Sequence, residues 1–142
     1  MDFMKQQDIK TEEKFMNQNA WFSIFMGITL LIISVYPMLN HTSAPLLFLG
    51  SAAFLGSFFM FVIRGGFTWK LSYRLTYKDE YLNTIDTIAY KHVVLALLFS
   101  MGAIYLASDN LAVDVTHSTM ATFYLAVMSL VYGFSIFWQS RD

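Results

Sequence analysis

Apolar residues gather in four long runs, 20–39, 44–63, 93–108 and 120–138, and none contains Asp, Glu, Lys, Arg or His. An α-helix rises about 1.5 Å per residue, so a run of about 20 residues matches the ~30 Å hydrocarbon core of a bilayer. The 93–108 run is the shortest, and Ala89 and Tyr90 ahead of it lengthen the span. This pattern predicts an integral membrane protein, an antiparallel bundle of four transmembrane helices.

Between the second and third runs the period changes. After Gly65-Gly66, residues 67–78 read Phe-Thr-Trp-Lys-Leu-Ser-Tyr-Arg-Leu-Thr-Tyr-Lys, apolar and polar in strict alternation. A period of two belongs to a half-buried β-strand; wound on a helix, the same apolar residues would scatter around the axis. The expectation is a short amphipathic strand presenting Phe67, Trp69, Leu71, Tyr73, Leu75 and Tyr77 on one face. A lone strand is unstable in water, so this face must rest on the membrane interface, on the end of the bundle or on a partner. These six residues are the candidate partner-binding set. Next, Asp79 suits an N-cap and Glu80 the positive end of a helix dipole. Tyr81, Leu82, Ile85, Ile88 and Ala89 then recur at helical spacing, predicting one helix over 80–108.

The charges fix an expected orientation. The segments 1–19 and 64–92 and the C-terminal tip hold Lys5, Lys10, Lys14, Arg64, Lys70, Arg74, Lys78, Lys91 and Arg141, all nine basic residues. The connections 40–43 and 109–119 hold none. Basic residues are retained in the cytoplasm during insertion, so both termini are expected there. The predicted organisation is a cytoplasmic tail, 1–19, followed by one membrane domain, 20–142, with a cytoplasmic loop at 64–92. The tail carries four acids beside three lysines, and the apolar run after it exceeds a signal peptide's core. The first span is therefore expected to be retained.

Small residues four apart recur within the runs: Ser23/Gly27, Ala52/Gly56 and Ser129/Gly133 among them. In lipid, helices associate by close backbone approach, which such rows permit. They are the candidate helix-packing residues, either within the chain or against a second copy. An offset of 75 residues also superposes Met26-Gly27 on Met101-Gly102, a trace of internal repetition.

Composition narrows the chemistry. With 56% hydrophobic and 13% charged residues, the chain cannot clothe a water-soluble domain, which carries about 25% charged residues. A net charge of −1 gives no reason to expect nucleic acid. Cysteine is absent, which excludes disulfides, thiol nucleophiles and thiolate metal centres. Runs without ionisable groups argue against proton-coupled transport, whose ion needs a site at membrane depth. His41, Asp109, Asp114 and His117 gather on the opposite side from the basic residues, the one set suited to an external metal or to pH sensing. Ordinary solvated loop residues are the simpler reading, and no cofactor or metal is expected.

Asp79-Glu80-Tyr81 with Ile85, just before the third run, resembles a motif in a family of small uncharacterised bacterial inner-membrane proteins with four spans. That family usually carries Asp-Glu-Arg here, so Tyr81 departs from it, and the likeness covers about a dozen residues. It implies a bacterial inner membrane and no catalytic residues. The expected function is non-catalytic: an accessory, regulatory or immunity-type protein that binds a membrane or membrane-associated protein, or a second copy of itself. The alternative is a small oligomeric channel or carrier for an uncharged or apolar solute.

Overall fold

The computed structural model describes residues 2–39, 52, 55, 56, 59, 77–111 and 116–141. Three helices account for nearly all of them: α1 (Asp2–Leu39), α2 (Glu80–Leu111) and α3 (His117–Gln139). Each is long and apolar enough to cross a membrane, over Gln6–Tyr36, Glu80–Ala107 and His117–Gln139. The termini of α2 and α3 are set by local hydrogen bonds. Asp79 starts α2, its carboxylate accepting from the Tyr81 amide and its carbonyl from the Asn83 amide. Thr116 caps α3 by accepting from the Thr119 amide, and the Ser140 amide closes the other end on the Ile136 carbonyl.

This corrects the expected architecture. Among the described residues there are three membrane-length helices rather than four, and none adopts a β-strand. The predicted second span, 44–63, falls mostly outside the described residues; within it, Ala52, Leu55, Gly56 and Phe59 are helical and exposed. Of the predicted strand only Tyr77 is described, and it is not in a strand. Alternation specifies a strand only where a neighbouring backbone completes the ladder. Tyr77 instead turns its ring inward, against a core built from helices.

Helix α3 is the central element and touches both others, α1 more extensively than α2. Along the α1–α3 seam, Trp21 meets Phe137, Ala20 and Ile24 meet Gly133, and Gly27 meets Leu130. Rising numbers on α1 against falling numbers on α3 make the pair antiparallel. On the other side Ile85 meets Gln139 and His92 meets Ser135, so α2 is also antiparallel to α3 and thus parallel to α1. The starts of α1 and α2 and the end of α3 share one end of the molecule.

The core lies toward that end. Met16 and Ala20 of α1, Leu82, Ile85 and Ala89 of α2 and Ile136 of α3 form one buried cluster, with Tyr77, Tyr132 and Phe137 against it. Helix α1 continues below its apolar run because Glu12, Met16 and Ala20, four apart, fall on one face and are buried there. Gln6, Gln7, Lys10, Glu13, Lys14 and Gln18 cover its outer face. Toward the other end α2 is uncovered among the described residues. Val94, Leu95, Leu98, Phe99, Met101, Tyr105 and Leu106 are all exposed.

Candidate functional site

The shared end of the three helices carries most of the polar side chains that the structure binds together. Glu12 is nearly buried, 9% exposed, although its apolar neighbours would not solvate a charge. Its carboxylate accepts from the backbone amides of Lys78, at 3.0 Å, and Asp79, at 3.4 Å. Those amides precede the first turn of α2, where unpaired N–H groups and the helix dipole favour an anion. A side chain of α1 thus supplies the negative charge that the start of α2 attracts. One turn further out, Lys78 Nζ pairs with Asp8 at 3.2 Å, an exposed contact that adds little.

Asp86, on α2, accepts a 2.6 Å hydrogen bond from the Tyr132 hydroxyl of α3. The Tyr90 and Tyr132 rings lie 5.3 Å apart, tilted by 41°. Tyr77 reaches the same region and is hydrogen-bonded by the Asn19 side chain of α1. Burial pushes its phenol up to about 12, and the negative charge of Asp86 acts in the same sense. The folded state therefore favours neutral Tyr77. Its contribution to stability is complete below the ordinary phenol value of 10.0 and is lost as pH rises through about 12. An alkaline titration followed by tyrosinate absorbance should show a late-ionising phenol that is missing from Tyr77→Phe. If Tyr77 ionises with the exposed tyrosines, its ring is not in the core.

A third polar group joins α2 to α3. Ser135 is buried, with Oγ 2.7 Å from His92 Nδ1. Gln139 Nε2 donates toward Ser135 Oγ at 3.0 Å, Ser135 O at 3.1 Å and Ile85 O at 3.4 Å. On α1, Asn17 Oδ1 is buried without a hydrogen-bond partner in the described structure.

The residues singled out from the sequence are distributed unevenly. Ser23 donates to the Ser129 carbonyl at 2.7 Å, Gly27 lies against Leu130, and Gly133 lies against Ile24 and Ala20. Ala52 is exposed, and a side chain at Gly56 would meet nothing within 4 Å. Phe67, Trp69, Leu71, Tyr73 and Leu75 lie outside the described residues, and Tyr77 is half-buried against the core. His41 and Asp114 also lie outside them, while His117 is exposed at the start of α3. Among the described residues no group of three His, Asp or Glu side chains is arranged to hold a metal ion.

Glu12, Asp86, His92 and Ser135 carry no motif that marks them as a set. The one available signal was the four-residue spacing of Glu12, Met16 and Ala20, which places a carboxylate on the inward face of a helix. No family model matches the chain, and neither a curated protein nor a solved structure matches it.

Proposed function

We propose that this chain is a non-catalytic protein of a bacterial inner membrane, with both termini in the cytoplasm. It binds another membrane or membrane-associated protein in an accessory, regulatory or immunity-type role. The orientation is supported by the helix directions: Lys10, Lys14, Lys78, Lys91 and Arg141 all belong to the end that α1, α2 and α3 share. Basic residues concentrated at one end belong on the cytoplasmic side.

The observation that carries the binding reading is the outer half of α2. Val94, Leu95, Leu98, Phe99, Tyr105 and Leu106 form a continuous exposed apolar arc, and Gly102 sits within it with nothing inside 4 Å of where its Cβ would be. A glycine flanked by large apolar side chains is a notch into which another helix can settle, since helix association in lipid depends on such close approach. Lipid alone needs no notch.

The test places a photocrosslinker at Phe99 or Leu106 in native membranes, with Phe134 on the far side as control. One protein should be crosslinked from the α2 positions and lost on Gly102→Phe, while thermal unfolding of the purified chain is unchanged. Crosslinks to lipid alone sink the reading. Solute flux through liposomes holding the purified chain alone would replace it with a channel or carrier.

A further inference from the structure

The contacts of Gln139 and His92 fix the direction of every proton between α2 and α3. The Gln139 terminal atom faces two carbonyl oxygens, Ile85 O and Ser135 O, which only accept, so it must be the amide nitrogen. The same nitrogen donates toward Ser135 Oγ. Ser135 Oγ, serving there as acceptor, has its own proton free for His92 Nδ1 at 2.7 Å. The imidazole of a closed chain therefore accepts at Nδ1 and carries its proton on Nε2, on the exposed side of the residue.

A second proton on His92 breaks this order. Nδ1–H then points at Oγ, where the Gln139 amide and the serine's own hydrogen already compete. Ser135 is 7% exposed, so a donor left there without an acceptor is costly. Histidine is the side chain whose charge changes across the physiological range. We propose that His92, Ser135 and Gln139 form a pH-sensitive latch, holding α2 on α3 while His92 is neutral and releasing it when the imidazole is protonated.

Its position gives the latch leverage. Toward the shared end α2 is held by Leu82, Ile85 and Ala89; beyond His92 begins the exposed half from Val94 to Leu106. The titratable neighbours are few. Helix α3 presents Tyr132, bonded to Asp86, and an exposed Arg141 beyond its end; α2 presents Asp86, Tyr90 and exposed Lys91. At this level α1 brings Met16 and Ala20, its acid Glu12 being held by the Lys78 and Asp79 amides.

The full chain in lipid nanodiscs is titrated from about pH 8 to about pH 5, following thermal unfolding and amide exchange along α2. The natural chain should lose roughly 3–6 °C in Tm, with faster exchange in 93–107. His92→Asn, whose amide oxygen accepts where Nδ1 did, should keep the high-pH behaviour throughout. Ser135→Ala should show a lower Tm and no pH step. Nitrogen NMR of the imidazole at high pH should find the proton on Nε2, which keeps the test decisive if Ser135→Ala does not fold. The latch is overturned if the natural chain shows no step, if the step survives in His92→Asn, or if Nδ1 carries the proton at high pH.

Discussion

Gly133→Leu is expected to separate α1 from α3 rather than merely loosen their contact. A Cβ at this position would stand 2.5 Å from Ile24 Cγ1, 2.7 Å from the Ala20 carbonyl oxygen and 3.2 Å from the Ile24 amide nitrogen. The Ile24 side chain can rotate away; the Ala20 and Ile24 backbone atoms belong to the facing helix and cannot move without it. A single added methyl in such a site typically costs about 1–3 kcal/mol, and leucine adds three further carbons. Moving the helices apart also breaks the Ser23–Ser129 hydrogen bond and withdraws Leu130 from Gly27. The absence of native cysteine makes the check clean. Cysteines introduced at Ser23 and Ser129 should crosslink in the natural background and fail to do so beside Gly133→Leu. Gly102→Leu, which adds its side chain to open space, is the matched control and should leave the crosslink intact. Equal crosslinking in both backgrounds would mean that the seam is misplaced.

Ile136→Ala is expected to be the most damaging truncation in the described structure. Its side chain is 0% exposed and belongs to the cluster where Met16 and Ala20, Leu82, Ile85 and Ala89, and α3 itself converge. Deleting three buried carbons from a well-packed core costs about 2–5 kcal/mol, depending on how far the walls collapse. Here the walls come from three different helices, so one movement cannot close the gap. The same change should expose Tyr77 and Tyr132, which lean on this cluster. Phe99→Ala removes more atoms, but Phe99 is 78% exposed, and its loss should leave folding nearly unchanged. Unfolding in a graded denaturing detergent would rank the two. If Phe99→Ala proves the more destabilising, the core is not at the shared end of the helices.

Much of the secondary structure was written in the chain. The runs 20–39, 93–108 and 120–138 lie within α1, α2 and α3, because length and apolarity are summed properties that local sequence displays directly. Asp79 likewise announced the start of α2, since capping needs only one side chain and the turn that follows it. The strand expected over 67–77 shows where a local pattern stops being sufficient. Alternation states which residues share a face of an extended chain, but the extended state needs a partner backbone that periodicity cannot supply. Adjacency was equally hidden. Met26-Gly27 and Met101-Gly102 are alike in sequence, yet Gly27 is pressed against Leu130 while Gly102 faces open space. Which glycine meets a neighbour depends on which helices are side by side. Glu12 was obscured for a related reason: among lysines, glutamines and acids it resembles any solvated residue. Its buried position follows only from the amides of Lys78 and Asp79, 66 and 67 positions away.

The Ser23–Ser129 bond spans 106 residues, and the six-residue core is completed by Ile136, six positions before the C-terminal Asp142. During biosynthesis α1 therefore enters the bilayer long before its main neighbour exists. A ribosome still holding the final turns of α3 in its exit tunnel would leave α1 and α2 without the element that joins them. Assembly must in this way be a post-synthetic event, and any chaperone or insertase attending this chain would have to shelter α1 until translation has ended.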